Sequence, residues 1–452
     1  MSLRRIPGRN QQYHLITYDK KGDEVRDADG TSATETALAD LTAPGADVTD
    51  VFIISHGWQG DYDDAISQYD RWIGAADPDG AGDGIRPFII GVHWPSKAWS
   101  DRELKSGPSG LLSGGTDAAS DAITVDEAVD EYATQLADDS TESRAALTTI
   151  LSYAARVDAD QDAEEGDELP SEVADAYRVI AERVGAAGDG DEALLGGGWN
   201  PDAVFAASTT DEGSGGLLGE GWFRKLREAV LTPLRQLTFW HGKNQAREFG
   251  ERGGAQLVRA IMTASPARVH LIGHSFGTIV VAAAVRGPGK TPTPPPRPVS
   301  SLFLVQGAVS LWAFAPVAPH RFGGGRGYFA DVATPAFVSG PIVVTRSKWD
   351  YAVGKFYPLA VKLASQYLLD DYPKFGGIGT FGAQGVPGAI ELEALAPDSR
   401  SNDIDFLPGT LYNVDARKII DELQGAAGAH NDLAHDELVW LAWSAALSTA
   451  KA

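Results

Sequence analysis

The ten residues RVHLIGHSFG, from Arg268 to Gly277, decide the fold because they combine a strand, a sharp turn and the start of a helix. The first five residues predict a buried strand, and the run TIVVAAAV from Thr278 to Val285 predicts a helix. The turn has the pattern G-x-S-x-G, in which Gly273 and Gly277 let strand and helix approach closely. The pattern predicts that Ser275 projects from the sheet at a helix N-terminus, where the helix dipole favours negative charge. The alternative is a tight turn with an inert serine.

Short apolar runs alternate with helix-like stretches along much of the remaining chain. The predicted strands are Val51–Ser55, Arg86–Trp94, Ser301–Gln306, Pro341–Thr345 and Thr410–Val414. The predicted helices are Asp64–Ala76, a segment through Phe249, Leu257 and Ile261, and Leu433–Leu447. Such alternation is typical of βαβ units. The sequence therefore predicts an α/β fold with a mostly parallel sheet and helices on both faces.

An acidic segment interrupts this alternation. Residues 117–192 include 22 acidic and 4 basic side chains, in a chain whose formal net charge is −24. Apolar residues recur there at helical spacing and predict three amphipathic helices, with a fourth periodic stretch from Phe223 to Leu237. Glycine- and serine-rich stretches separate the segment from its surroundings. We therefore predict an α/β core formed by residues 1–95 and 243–452, and an inserted acidic helical block formed by residues 96–242.

The composition excludes several classes of protein. The chain has no cysteine, which excludes disulfides, thiolate metal sites, iron–sulfur clusters and a cysteine nucleophile. The negative charge disfavours non-specific binding to nucleic acid or to anionic lipid. No apolar run reaches the roughly 18 residues of a membrane helix, and the basic N-terminus lacks the apolar run of a signal peptide. We expect a cytoplasmic protein without stable membrane insertion, and the oligomeric state stays open.

A serine nucleophile needs a base, which in this architecture follows the serine and an acid along the chain. Three of the nine histidines lie after Ser275, and His320 precedes the candidate acid. His430 lies on a loop before the terminal helix and is the favoured base, while His435 is the alternative. The two are five residues apart and no HExxH pattern accompanies them, so a metal site is not predicted.

The acid must orient the imidazole and stabilise its protonated form. Asp350 follows the strand Pro341–Thr345, and active sites of parallel sheets form beyond the carboxyl ends of strands. A surface aspartate paired with Lys348 is the alternative. The competing acids lie in less suitable positions; they are Asp331, Asp370, Asp371, Asp403 and Asp405.

Acyl transfer also requires N–H donors for an oxyanion. We predict the backbone N–H of Phe276, directly after the nucleophile, and that of Trp58, after the strand Val51–Ser55. Gly57 would permit the turn before Trp58. His56 and His274 are interpreted as supporting or packing residues.

The His-Gly turn at His56–Gly57, the elbow Gly273–Gly277, the acid loop at Asp350 and the late His430 resemble the α/β-hydrolase superfamily, its serine esterases and lipases in particular. The resemblance covers the chain apart from about residues 96–242. It implies an α/β-hydrolase fold in which that block is a cap or lid. It also implies a Ser-His-Asp triad that cleaves a small-molecule ester, with a hydrophobic or acyl group, through an acyl-enzyme and without a cofactor. Trp58 follows Gly57, so the HGGG-type oxyanion loop of some members is absent, and the block enters early, after the strand that ends at Trp94.

Two other functions use the same sequence features. A thioesterase, amidase or acyltransferase would need the same residues, and a catalytically silent binding or scaffold protein could share the fold. The stretch Ala284–Thr291 fits a relaxed Walker A pattern, but it follows a helix and continues into a proline-rich segment. We therefore predict no nucleotide site there.

Overall fold

The computed structural model describes most of the chain in thirteen ranges. These are residues 3–57, 62–75, 85–96, 124–136, 138–159, 168–184, 200–209, 220–318, 325–356, 376–393, 395–396, 404–424 and 428–450. The chain divides into two compact units, which we call the sheet unit (Met1–Ser96 with Lys243–Ala452) and the helical unit (Lys97–Gly242). Within the described residues, no helix is both long and apolar enough to cross a membrane.

The sheet unit contains a nine-stranded sheet with the order β1-β2-β4-β3-β5-β6-β7-β9-β8. Its strands are β1 (Leu3–Arg5), β2 (Gln12–Thr17), β3 (Asp50–Ser55), β4 (Pro87–His93), β5 (Arg268–His274), β6 (Ser301–Val305), β7 (Ile342–Arg346), β8 (Ile390–Leu392) and β9 (Leu411–Asp415). β1 pairs antiparallel with β2, and the other neighbouring strands pair in parallel. The prediction of a mostly parallel α/β sheet is therefore confirmed.

Helices alternate with many of these strands along the chain. In the sheet unit they are α1 (Ala33–Leu41), α2 (Tyr62–Ala75), α8 (Ala255–Ala264), α9 (Gly277–Arg286), α10 (Tyr351–Phe356), α11 (Ile378–Phe381) and α12 (Asp436–Ser448). The helices α3 (Val125–Gln135), α4 (Thr141–Ala159), α5 (Ser171–Arg183) and α6 (Pro201–Thr209) belong to the helical unit. α7 (Glu220–Phe249) continues into a π-helical turn, Gly250–Gly254, before α8.

The central strands are apolar on both faces because helices cover both. Phe52 and Ile54 of β3 belong to a core that includes Trp72 of α2 and Trp443 of α12. The intervening residue Ile53 is also buried and, because side chains alternate along a strand, points to the opposite face. Continuous apolar runs of this kind are typical of parallel strands covered on both sides.

The helical unit has an apolar core of its own. Residues at helical spacing on α3, α4 and α5 form this core together with Phe205 of α6 and the segment 226–237 of α7. α3 begins with a capping box, in which Thr124 and Glu127 satisfy each other's backbone N–H groups. The Tyr177 hydroxyl donates a hydrogen bond to the Val230 carbonyl. α6 was not predicted from the sequence.

A buried polar network, which we call the strand-tying network, joins the N-terminal ends of three neighbouring strands. Asp50 of β3 accepts hydrogen bonds from Arg268 of β5 at 2.7 and 2.8 Å, and lies 2.9 Å from His270 Nε2. His270 Nδ1 lies 2.7 Å from the Ser301 hydroxyl of β6. Burial alone would raise the pKa of Asp50, but hydrogen bonds from His270, Arg268 and Thr49 outweigh burial and lower that pKa. Burial lowers the pKa of His270, so an ionised carboxylate faces Arg268 and a neutral imidazole.

We predict that Asp50→Asn lowers the free energy of unfolding at pH 7 by about 3 kcal/mol, because Arg268 and His270 lose a buried carboxylate partner. The lowered pKa of Asp50 in the folded state means that this contribution is present above the unfolded pKa of about 4 and is lost as the pH falls through the folded pKa. The difference between wild type and variant should therefore shrink below about pH 4. Urea unfolding of both proteins across this pH range measures the difference in their free energies of unfolding.

The matched control is Asp47→Asn. Asp47 pairs with Arg86 on the surface, and its left-handed backbone tolerates asparagine. We expect a change below about 1 kcal/mol. Equal losses in the two variants would contradict the assignment of a stabilising role to the strand-tying network.

Candidate active site

Ser275 occupies a strained turn between β5 and α9. β5 ends at His274, Phe276 is the N-cap residue of α9, and Ser275 between them has a φ of 54°. This left-handed conformation is uncommon for a residue other than glycine and is found where the surroundings determine the backbone. The Ser275 carbonyl accepts hydrogen bonds from the Thr278 hydroxyl at 2.6 Å and from the Ala308 N–H at 3.2 Å. The turn is thus fixed by its neighbours on both sides.

Three glycines allow the backbone to pass close to this turn. A Cβ on Gly273 would lie 2.3 Å from the Gly277 carbonyl oxygen, and a Cβ on Gly277 would lie 2.3 Å from that of Ser55. A Cβ on Gly57 would lie 2.7 Å from the Cβ of Ser275. Gly57 has no positive φ, so the close approach to the serine, rather than a turn conformation, requires glycine there.

His430 contacts the serine directly. Its Nε2 lies 2.8 Å from Ser275 Oγ, although the two residues are 155 positions apart in the chain. The loop that carries His430 is anchored to the loop after β7 by an antiparallel bridge between Gly428 and Asp350, and the Ala429 N–H donates to the Trp349 carbonyl at 2.8 Å. His430 is 8% exposed and Ser275 is 5% exposed.

Asp350 lies on the other side of the imidazole. Both of its carboxylate oxygens are 3.0 Å from His430 Nδ1, and the residue is fully buried. It is therefore not a surface residue paired with Lys348, whose Nζ instead lies 4.4 Å from the ring centre of Trp349. The structure brings Ser275, His430 and Asp350 together in one hydrogen-bonded line, and we refer to them as the three site residues.

The alternative candidates lie elsewhere or outside the described residues. His435 is the N-cap residue of α12, and its Nε2 lies 2.6 Å from Asp432 Oδ1. Asp331 pairs with Arg326. His320, Asp370, Asp371 and Asp403 are outside the described residues.

Two further histidines, His274 and His56, directly precede Ser275 and Gly57 in the chain and are buried. His274 Nδ1 accepts from Gln68 Nε2 at 2.8 Å, and its Nε2 donates to the His430 carbonyl at 3.1 Å. Burial, with His430 nearby, lowers the pKa of His274 well below its usual value. Burial, with His93 nearby, lowers the pKa of His56 to about 3. Both imidazoles are therefore neutral at pH 7, and His274 holds the backbone of the His430 loop.

The predicted oxyanion donors are placed only in part. Phe276 is buried at the N-terminus of α9, directly after Ser275, as the predicted role of its N–H requires. Trp58 lies outside the described residues. The role of both N–H groups stays a prediction.

Two residues near the site were not singled out from the sequence. Gln306 Nε2 donates to Asp350 Oδ2 at 2.9 Å, and Gln68 donates to His274. Gln306 ends an apolar run at the carboxyl edge of the sheet, which is the one signal in the sequence that could have identified it. Gln68 lies within a helix and carries no comparable signal.

The arrangement has a clear chemical capability. An imidazole bonded to a serine hydroxyl through one nitrogen and to a carboxylate through the other can accept the hydroxyl proton. The carboxylate accepts from Nδ1, which leaves the lone pair of Nε2 directed at the serine. In the described part of the chain, histidine, aspartate and glutamate form no group of three or more that could hold a metal ion.

We predict that Gly273→Ala destabilises the protein by about 3 kcal/mol or prevents folding, because the new Cβ meets backbone that cannot move aside. The matched control is Gly74→Ala in α2, where the nearest atom to the new Cβ is Arg9 Nε at 3.3 Å, on a flexible side chain. Alanine in a helix should leave that variant as stable as wild type or up to about 1 kcal/mol more stable. Thermal unfolding compares the two, and equal melting temperatures would contradict the close approach at the turn.

Comparison with known proteins adds no family name to this geometry. No family model matches the chain, and neither a curated protein nor a solved structure matches it. The function must therefore be inferred from the chemistry of the site residues.

Proposed function

We propose that the protein is a serine hydrolase that cleaves carboxylic esters through an acyl-enzyme, on an α/β-hydrolase fold. One observation carries the proposal: the hydrogen-bonded line from Ser275 Oγ through His430 to the buried carboxylate of Asp350. Such a line combines a nucleophile, a base and a group that orients the base. A serine that served only to complete a turn would not require the other two.

The position of the three site residues in the sheet supports the same proposal. Ser275 follows β5, Asp350 follows β7 and His430 follows β9, so each lies beyond the carboxyl end of a parallel strand. The chain order serine, acid, histidine is that of α/β-hydrolases with a G-x-S-x-G elbow. The left-handed backbone of Ser275 agrees with the strained nucleophile turn of that fold.

In the acylation step, His430 Nε2 accepts the proton of the Ser275 hydroxyl while Oγ attacks the carbonyl carbon of the ester. The carbonyl oxygen becomes an oxyanion, which the N–H groups of Phe276 and Trp58 stabilise. The tetrahedral species then collapses, the C–O bond to the alcohol breaks, and the alcohol leaves with the proton from His430. The product of this step is an ester between the acyl group and Ser275.

In the deacylation step, a water molecule gives a proton to His430 and attacks the acyl carbon. The second tetrahedral species releases the carboxylic acid, and Ser275 Oγ recovers its proton from His430. Asp350 keeps the imidazole oriented and stabilises the imidazolium that forms in each step. The N-terminus of α9 contributes positive potential beside Ser275, where negative charge develops. The chemistry requires neither a metal nor a cofactor.

The substrate in this proposal is a small-molecule ester with a hydrophobic or acyl group. In the sequence, the helical unit is inserted into the sheet unit between Ser96 and Lys243. In hydrolases of the superfamily that this chain resembles, such insertions commonly form a cap, and we propose that role for the helical unit. A cap with an apolar inner surface would favour an apolar acyl chain.

We predict that the protein hydrolyses p-nitrophenyl esters and that Ser275→Ala and His430→Ala each lower kcat at least about 1,000-fold, because each removes a partner of the proton transfer. Asp350→Asn should lower kcat about 100- to 10,000-fold, because asparagine cannot stabilise the imidazolium. A panel of p-nitrophenyl esters of increasing chain length measures these rates and identifies the preferred acyl group.

The matched control is His435→Ala, which removes the other late imidazole and should leave kcat within about threefold of wild type, since His435 bonds to Asp432. Loss of activity in His435→Ala with retention in His430→Ala would contradict the assigned base. A folded wild-type protein that turns over no ester, thioester or amide would contradict the enzyme proposal and favour a binding protein.

A further inference from the structure

Gln306 lies in a backbone conformation that its residue type rarely adopts. It follows β6, the strand between β5 and β7, and its φ is 45°. Among the described residues, only Asp47, Ser275 and Gln306 combine a positive φ with a side chain. This region is disfavoured for a glutamine, and the conformation persists only where contacts determine it.

The contacts of the Gln306 side chain fix the direction of its amide. Its Oε1 accepts from the Thr345 hydroxyl at 3.2 Å, and that hydroxyl accepts from the Gln306 N–H at 3.1 Å. Its Nε2 donates to Asp350 Oδ2 at 2.9 Å and to the Gly379 carbonyl at 3.2 Å. If the amide were flipped, its oxygen would face two acceptors, Asp350 Oδ2 and the Gly379 carbonyl. Only the observed orientation therefore gives each partner a hydrogen bond.

The carboxylate of Asp350 needs these donors because it is fully buried. In addition to its bond with His430 Nδ1, the carboxylate accepts two hydrogen bonds. Oδ1 accepts one from the Val353 N–H at 3.1 Å, and Oδ2 accepts one from Gln306. A Cβ at Gly379 would lie 2.9 Å from Asp350 Oδ2, so the backbone encloses this oxygen closely. The two donors hold opposite oxygens and thereby fix the plane in which the carboxylate meets the imidazole.

We propose that Gln306 is a positioning residue for catalysis, whose amide holds the Asp350 carboxylate in the orientation that receives the His430 Nδ1–H. The hydrogen bonds of the Gln306 side chain go to Asp350, Gly379 and Thr345, so it acts through Asp350. The inference rests on the proposed esterase function, since the orientation of Asp350 matters only if His430 acts as a base. Thr345 fixes the amide and is the outer member of the same arrangement.

The test replaces Gln306 by methionine, which has a similar length but no donor. Steady-state kinetics should show kcat lowered about 10- to 100-fold, as for other groups that orient a catalytic ligand, with KM within about twofold. Loss of a donor to the carboxylate changes the interaction between Asp350 and His430, so the profile of kcat against pH in the neutral range should differ from that of wild type. The neighbouring imidazole of His274 stays neutral across this range because burial lowers its pKa.

A second readout does not depend on turnover. This readout is the low-field proton resonance of His430 Nδ1–H, which is assigned by its loss in His430→Gln. In the Ser275→Ala background, the resonance should shift or broaden when Gln306 is replaced by methionine. The matched control is Gln384→Met, because Gln384 Nε2 donates to the Phe381 carbonyl and not to Asp350. That control should change neither kcat, the pH profile nor the resonance.

The outcomes separate the inference from the proposed function. Unchanged kcat, pH profile and resonance in Gln306→Met overturn the inference even if Ser275 and His430 prove essential. Ester hydrolysis that survives Ser275→Ala overturns the proposed function instead. If Gln306→Met does not fold, Thr345→Val removes the hydroxyl that holds the amide oxygen and so loosens the amide. This variant should lower kcat about 3- to 10-fold, and wild-type kcat in it also overturns the inference.

Discussion

The close approach of backbone around Ser275 is the constraint on which the rest of the site depends. β5, α9 and the end of β3 meet there with no room for a Cβ at Gly273 or Gly277. This crowding holds the serine in a left-handed conformation that places its hydroxyl within reach of an imidazole from the far end of the chain. The energy of that strained turn is offset by the buried sheet around it, whose central strands are covered on both faces.

The types of residue alone do not identify the site. The strand-tying network also joins a serine, a histidine and an aspartate, yet Ser301 lies within a regular strand and the carboxylate is neutralised by Arg268. Ser275 differs because it combines the strained turn, the N-terminus of α9 and an acid that bonds to the same imidazole as the serine, to Gln306 and to a backbone N–H. We therefore assign stability to the first arrangement and chemistry to the second.

Much of this could be predicted from the sequence, because the central strands and the elbow are local patterns. Periodicity and glycine spacing predicted β3 to β7, β9 and the turn at Ser275. Asp350 and His430, which the structure brings together with Ser275, were predicted from their order in the chain and their positions after strands. The strands β1 and β8 have three residues each, too few to show periodicity, and were missed. The role of Gln306 depends on a positive φ and on contacts with residues about 40 positions away, and no local pattern encodes these.

The most direct test of the account is to find which residue a fluorophosphonate modifies, because the reagent phosphonylates an activated serine. Peptide mass mapping of the treated wild-type protein should place one adduct on the peptide that contains Ser275, and the adduct should disappear in Ser275→Ala. An adduct on Ser301, or equal labelling of wild type and Ser275→Ala, would contradict the claim that Ser275 is the nucleophile.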